Sequence, residues 1–452
     1  MNLLIRLLGD RAFFAALLKI ALPITIQQLA LSLLNATDVL LIGQLGETAV
    51  AAVGLANQVF FLLNLLLFGI ISGSAIFTAQ FWGRRDLVGI RQVLGISLLL
   101  AVTGSLGFTL LAVLAPEHAL RIYTGDPAVI AQGGRYLRVV GLSYVVTAIT
   151  YAYSAVLRST EHVRLPTAVS VTALSLKTAL GYLLIFGHLG LPQMGVVGAA
   201  AATCIARYGE CAALLALAYT RRTPAAARPR ELLGADWAFV RRFLITTAPV
   251  VLEEVVWSLG ITSYNAIYAR IGTDAVAAIN IATTIEGLAF VTFIGLGNSA
   301  AIMIGNRIGA GETAQASTYA GRFLRLAILV GVVAGGLILV GSGPILSLYK
   351  ITPETRAAAQ AVLVVMACVL WARASNMVMI VGIMRSGADT RFAFVADVTP
   401  LWLVGIPLAL TGAFILHLPI PLVYVLVMCD ELSKFFISAW RVRSGRWIHR
   451  VA

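Results

Sequence analysis

The stretch "PITIQQLALSLLNATDVLLIGQLGETAVAA" (23–52) has a partner 226 residues later, "PVVLEEVVWSLGITSYNAIYARIGTDAVAA" (249–278). The two align without a gap. Pro23 meets Pro249, Gly46 meets Gly272, and AVAA at 49–52 meets AVAA at 275–278. The shift equals half of the 452 residues, and the alignment runs through 23–86 against 249–312, with Gly69 facing Gly295 and Gly83 facing Gly309. Further on, "LRSTEHVRLPT" (157–167) echoes "MRSGADTRFAF" (384–394), the offset having drifted by one. Each copy is largely apolar, so one unit repeated twice is expected to cross a membrane many times.

Composition agrees. Hydrophobic residues make up 60% of the chain and charged ones 12%, and the mean hydropathy is +0.92. A soluble domain with so little polar surface could not stay dispersed, so the expected class is all-α integral membrane. Apolar runs of spanning length lie near 13–44, 49–81, 91–115, 131–157, 165–188 and 194–220. Six more lie near 238–271, 275–307, 319–342, 357–383, 391–413 and 420–441. The expectation is twelve transmembrane helices in two six-helix lobes. An even number per repeat makes the halves parallel, related by an axis along the membrane normal. The expected domains are 1–220, a basic cytoplasmic linker at 221–237, and 238–452 with a short basic tail.

The basic, apolar N-terminus has no small-residue cleavage site and is expected to be a retained first helix. The net charge of +13 is carried by scattered residues with no nucleic-acid-binding element beside them, so no nucleic acid partner is expected. Of the 33 Lys and Arg residues, 23 fall on the side that holds both termini, among them Arg84, Arg85, Arg221, Arg222, Arg241 and Arg242. The positive-inside rule then puts both termini in the cytoplasm. Four cysteines without CxxC spacing and five histidines without ligand spacing suggest neither disulfides nor a metal site. No P-loop is present, so neither ATP-driven transport by this chain alone nor an enzyme activity is expected, and no cofactor is implied.

Asp38 stands in the outer part of the first helix, where a carboxylate costs roughly 2.5–3.5 kcal/mol on insertion scales. Asn35 lies nearly one turn before it on the same face. An acid there is a functional-site candidate or a structural acid bonded to hydroxyls. Its repeat counterpart is Tyr264, so only one copy carries the acid. In the second half, Glu253 and Glu254 sit mid-helix opposite Gln27 and Gln28. Being about 100° apart, they are expected to face different directions. Glu286 is a third acid. With Trp257 and Tyr264 these acids would suit a cationic aromatic ligand, or else form a packing network. Arg207 with Glu210 (i, i+3) and Asp430 with Lys434 (i, i+4) read as local pairs. Arg373 and Glu431 have no obvious local partner, and Asp397 is expected to bond to backbone. Pro23 and Pro249 occupy equivalent places and are candidate hinges, though membrane helices tolerate proline without bending.

The motifs "ALPITIQQ…TDVLLIGQLG", "AQFWGRRD", "VLRSTEHVRLPT", "YLLIFGHLGLPQMGVVGAAAAT", "MRSGADTR", "GIPLAL" and "WRVRSGRW" are spread over nearly the whole chain. Together they resemble the multidrug and toxic compound extrusion (MATE) family, in its bacterial branch. The loop "GRRDLVGIRQ" after the second helix differs from the GxxxD-[RK]-x-G-[RK]-[RK] loop of the major facilitator superfamily. The resemblance implies two lobes flanking a cleft in the bacterial cytoplasmic membrane. It also implies multidrug efflux by antiport: amphipathic or cationic organic compounds leave in exchange for protons or sodium. A lipid-linked oligosaccharide or lipid flippase of related fold, or a non-transporting scaffold, are the alternatives. Membrane lipid surrounds the chain in each case, and a monomer is expected.

In the family, the aspartate fifteen residues after this proline carries the coupling ion, and Asp38 stands fifteen after Pro23. Relatives commonly carry Asn and then Asp or Asn four residues later on the fifth helix, and these help to form a sodium site. Here those positions are Lys177 and Gly181. A hard cation needs oxygen ligands, and lysine brings a positive charge in place of one. The expectation is therefore that Lys177 approaches Asp38 in the role of a bound cation, which favours protons over sodium. Lys177 could alternatively serve another carboxylate or snorkel into a water-filled cavity.

Overall fold

The computed structural model describes residues 10–347 and 349–451. The first nine residues, where the expected retained N-terminal helix would begin, lie outside them. Long apolar runs are helical because hydrocarbon leaves backbone polar groups no partner but one another. The first half forms α1 (Arg11–Gly43), α2 (Glu47–Gly83), α3 (Leu87–Leu114), α4 (Pro127–Gly141 and Tyr144–Ser159), α5 (Arg164–Phe186) and α6 (Val196–Thr220). The second forms α7 (Trp237–Ile271), α8 (Thr273–Gly309), α9 (Thr313–Ser347), α10 (Pro353–Met384), α11 (Thr390–Ile415) and α12 (Ile420–Val427 and Cys429–Arg443). Among the described residues ten helices are long and apolar enough to cross a membrane, and α4, bent by 47°, makes an eleventh. The pieces of α12 are each too short to span alone, and the second carries Asp430, Glu431 and Lys434.

Helix ends follow local chemistry. Asp86 accepts from the Gly89 amide at the start of α3, and Asp126 caps α4 ahead of Pro127. Gly187, with φ of 75°, closes α5 in the left-handed conformation that glycine adopts freely. In α10 and α11, π-helical turns occupy Val378–Met384, Leu401–Gly405 and Thr411–Ile415. The first of these leads directly into Arg385.

Two compact units pack separately. The first-half unit holds Ile26–Thr78 and Asp86–Thr247, and the second-half unit holds the chain up to Thr25, Ala79–Arg85 and Ala248 onward. The division falls inside α1, α2 and α7. The first-half unit has a core of residues such as Leu63, Leu67, Leu137 and Tyr144, all fully buried. The second-half unit has one built on Phe293, Val362, Leu363 and Leu370. Outward-facing apolar residues such as Val340 and Leu403 are exposed, as a lipid-facing surface requires. Equivalent phenylalanines anchor the helix starts. In the second-half unit Phe13 lies edge-on to Tyr319 and Phe323, both at 5.2 Å, and in the first-half unit Phe239 meets Phe77 at 5.9 Å.

The linker after α6 packs in the first-half unit. Its short helix Pro229–Leu232 brings Glu231 to the Arg228 amide at 2.6 Å and to the Arg91 guanidinium at 2.5 Å. The amide, with Arg91 and Arg228, holds the Glu231 carboxyl below the usual glutamate range. That capping contact is therefore present above the ordinary glutamate pKa and is lost as acidification passes the lowered one.

Small residues let α2 and α8 meet at their ends within the second-half unit. A Cβ on Gly83 would lie 2.0 Å from the Asn306 carbonyl oxygen, and one on Gly309 would lie 1.9 Å from that of Gln80. Gln80 and Asn306 occupy equivalent places in the repeat, as do Gly83 and Gly309, so the contact is reciprocal. Beside it, the Gln80 amide donates to Ser386 and His449 carbonyls at 3.0 and 3.1 Å and accepts from the Val451 amide at 2.9 Å. The buried Trp447 completes the docking of the tail. Backbone cannot yield as a side-chain tip does, so Gly309→Ala should cost about 1–3 kcal/mol. The thermal midpoint in detergent should fall for Gly309→Ala and Gly83→Ala alike. Gly107→Ala, where an added Cβ meets nothing within 4 Å, should leave it level or raise it.

Candidate functional site

Asp38 lies near the end of α1, where a polar side chain must find its partner on another helix. Lys177 supplies it: from α5 its ammonium donates to an Asp38 carboxylate oxygen, and the pair keeps about a fifth of each side chain accessible. Both line a cavity of about 740 Å³ inside the first-half unit, together with Asn35. That volume is in the range of pockets that hold drug-sized molecules. Amides of Asn57, Gln58 and Asn64 and the hydroxyl-bearing Tyr136, Thr147 and Tyr151 contribute polar wall, while Phe60, Phe61 and Val39 contribute apolar wall. Gly181 also lines it, and a Cβ there would meet nothing within 4 Å. The Gly181 position is thus open space on the cavity wall.

A second charged centre lies deeper along α5. Arg207 of α6 lines the same cavity and donates to Glu210 at 2.8 Å. Glu210, only 3% exposed, also accepts from Ser170 of α5 at 2.5 Å. The expected i, i+3 pair is therefore present, with a hydroxyl from a neighbouring helix completing it.

The second-half acids occupy another environment. Arg385 stands 2.9 Å from carboxylates of both Glu253 and Glu254. This corrects the expectation that adjacent glutamates face apart: two long side chains, starting 100° apart, converge on one guanidinium that can serve both. Glu286 is paired with Arg373, which also lies 3.5 Å from Glu431. Asp397, expected to bond to backbone, instead meets Lys434 at 2.9 Å. Lys434 is also 3.8 Å from Asp430 and 3.9 Å from Glu431. Tyr264, the counterpart of Asp38, is buried and donates to Asp430 at 3.1 Å, while Trp257 packs on the second-half core. Across this network three cations face six carboxylates.

Sequence reasoning named Asp38, Asn35 and Lys177, which the fold brings to one cavity, and Glu253, Glu254, Glu286, Trp257 and Tyr264, which it places in the second-half unit. Pro23 and Pro249 lie inside continuous α1 and α7, each two residues from the boundary between units. The organising roles of Arg385 and Arg373 were missed, because Arg385 reaches Glu254 across 131 residues and Arg373 reaches Glu286 across 87. One signal was available for Arg385: it sits in the repeated "RSG/RST" motif, at the place of Arg158.

Breaking one side of a buried pair strands the other charge at a cost of about 3–5 kcal/mol, less where water reaches it. Lys177→Met should therefore lower the thermal midpoint more than Asp38→Asn/Lys177→Met does. The ranking is read by unfolding in detergent, and equal midpoints for the two would contradict a coupled pair.

Comparison with known proteins places this architecture. The MatE family matches residues 23–183 and again 249–411, two copies starting 226 residues apart. A probable multidrug resistance protein NorM of Bradyrhizobium diazoefficiens is 30% identical over 416 residues, covering 89% of this chain and 87% of that protein. A protein of the same description from Rhizobium meliloti is 32% identical over 337 residues, covering 73% of this chain and 69% of that one. Among solved structures, a MOP superfamily transporter from Pyrococcus furiosus superposes with a TM-score of 0.84 at 18% identity, over 95% of this chain and 96% of its own. An outward-facing multidrug resistance MATE family transporter gives the same score and coverage at 18% identity, a likeness of fold. Twelve helical elements in two sequence copies, each copy matched by the same family, leave one assignment: the chain belongs to the MatE family, the multidrug and toxic compound extrusion family.

Proposed function

We propose that this protein is a secondary antiporter of the bacterial cytoplasmic membrane, with both termini in the cytoplasm. It exports amphipathic, cationic organic compounds by alternating access in exchange for protons. Family membership and the multidrug-resistance descriptions of its relatives support export. The observation that carries the coupling reading is the Lys177–Asp38 pair on the cavity wall.

A carboxylate that holds an ammonium has its charge satisfied without a metal ion. Sodium would have to displace the Lys177 ammonium from Asp38, and Gly181 offers it no oxygen ligand. A proton arriving from outside does something simpler. It removes the negative charge of Asp38 and leaves the Lys177 ammonium uncompensated on the cavity wall, where it repels a cationic ligand, which then leaves. Loss of that proton to the cytoplasm restores the carboxylate and the affinity. Proton and ligand thus bias opposite states, which is the requirement for exchange. Glu253, Glu254 and Glu286, with Trp257 and Tyr264, form the second polar region from which a cationic aromatic ligand could be held. Pro23 and Pro249 serve as the bending points of α1 and α7.

Ethidium efflux from cells tests the reading. Asp38→Asn should reduce efflux to that of cells lacking the protein, and full efflux by this variant would remove Asp38 from the mechanism. In liposomes a pH gradient alone should drive ethidium exchange. A requirement for sodium at fixed pH gradient would overturn proton coupling.

A further inference from the structure

We propose that the pocket between the ends of α2 and α8 and the C-terminal tail binds a phosphate group, gripped by Arg84 and Arg450. The pocket belongs wholly to the second-half unit, and the inference is independent of the export reading.

The pocket has a volume of about 390 Å³, toward the small end of the range for ligand sites. Its wall is mostly polar. Arg84, Arg450 and Gln80 supply side chains, Gly309 and Gly311 supply bare backbone, and Ile308 is the large apolar residue. No carboxylate is among the described residues that line it. The acids on the flanking segments are already engaged. Glu312 accepts from Arg307 at 2.7 Å, and Asp389 accepts from Arg441 at 2.7 and 3.1 Å. Among the described residues neither Arg84 nor Arg450 has a carboxylate partner.

One residue positions both arginines. The Gln80 carbonyl accepts from the Arg84 amide at 3.3 Å, which fixes Arg84 directly after the end of α2. The buried Gln80 carboxamide donates to the His449 carbonyl at 3.1 Å and accepts from the Val451 amide at 2.9 Å. Both peptide groups that flank Arg450 are therefore held by a single side chain. Further back, Trp447 is fully buried and the His449 amide donates to the Gly387 carbonyl at 2.9 Å. Arg450 spends one terminal nitrogen on the Gly311 carbonyl at 3.3 Å. A guanidinium carries five N–H donors in a planar fork, so the others remain for an anion.

The carbonyl ends of α2 and α8 stabilise positive charge, which lets two guanidiniums share a pocket without an acid. An anion between them replaces their repulsion with charge-assisted bonds. A carboxylate is satisfied by one fork, whereas the tetrahedral oxygens of a phosphate serve two forks arriving from different elements. In the proposed topology these helix ends face the cytoplasm, where basic pockets attract anionic lipid headgroups. A soluble phosphate would offer the same oxygens.

Native mass spectrometry reads which lipid stays on the full-length chain after release from nanodiscs of mixed phosphatidylglycerol and phosphatidylcholine. The wild type should retain phosphatidylglycerol in preference. Arg84→Gln/Arg450→Gln should lower that retention about tenfold, the equivalent of one charge-assisted contact. Arg443→Gln/Arg446→Gln removes the same charge from exposed tail positions outside the pocket, and should stay within about twofold of the wild type. Arg84→Lys/Arg450→Lys keeps the charge and loses the fork, so it should keep part of the retention and guards against a variant whose tail has come away. A second arm adds inorganic phosphate to lipid-free detergent samples at constant ionic strength. A phosphate-dependent rise in the wild-type thermal midpoint, lost in Arg84→Gln/Arg450→Gln and without any lipid preference, would support the site and assign it to soluble phosphate. Equal loss of lipid in the two charge-removing variants, or unchanged retention in Arg84→Gln/Arg450→Gln, would overturn the proposal. So would a wild type that neither prefers phosphatidylglycerol nor responds to phosphate.

Discussion

Hydrocarbon offers a bare charge nothing to bond to, and the interior of this protein is arranged around that constraint. Every ionisable side chain that sequence analysis singled out within the membrane-spanning helices has an opposite charge or a hydroxyl beside it. Asp38 has Lys177, Glu210 has Arg207 and Ser170, and Glu253 and Glu254 share Arg385. The Asp38–Lys177 and Glu253/Glu254–Arg385 pairs join helices distant in sequence, so neutralising the charge also fixes which helices are neighbours. The polar groups of the two units nevertheless differ in kind. In the first-half unit the cavity-lining cations each meet a single carboxylate, Lys177 with Asp38 and Arg207 with Glu210. In the second-half unit Arg373, Arg385 and Lys434 are each shared among several acids. Duplication supplied one scaffold, and the charged residues then diverged on it.

The scaffold was legible because it obeys rules that a single chain displays. Apolar runs give the helices, their 226-residue recurrence gives the two copies, and the linker composition marks the seam. The Asp38–Lys177 pairing could also be anticipated, because an acid and a base at family-specific positions each lacked any local partner. The partners of Glu253, Glu286 and Asp397 could not. Those of Glu253 and Glu286 lie on helices far along the chain and that of Asp397 on the next helix, and helical periodicity says which way a Cβ points and not how far a side chain can swing. That is why two adjacent glutamates, 100° apart at the backbone, could meet at a single arginine. Nor does composition reveal that α12 is broken at Met428, since its two pieces read as one apolar run until the acids near Asp430 are placed.

The division of the packing units inside α1, α2 and α7 was also hidden from the sequence. It lies at Thr25, Thr78 and Thr247, within helices that hydropathy reads as uninterrupted. For α1 and α7 it falls two residues from Pro23 and Pro249, where a helical hydrogen bond is missing. A helix that lacks one backbone bond at that point can belong to different packing environments above and below it without breaking.

The reciprocal contact of Gly83 with Asn306 and of Gly309 with Gln80 carries a historical consequence. Gly83 receives the backbone of Asn306 and Gly309 that of Gln80, the residue equivalent to Asn306, so each copy offers the other the same glycine and the same carbonyl. Such a surface needs no second kind of subunit. A six-helix ancestor bearing one glycine of this type would have met its own twin through it, both chains inserted in the same orientation. Gene fusion would then have converted a homodimer interface into an intramolecular one, after which the carboxylate at position 38 could be kept in one copy and become a tyrosine in the other.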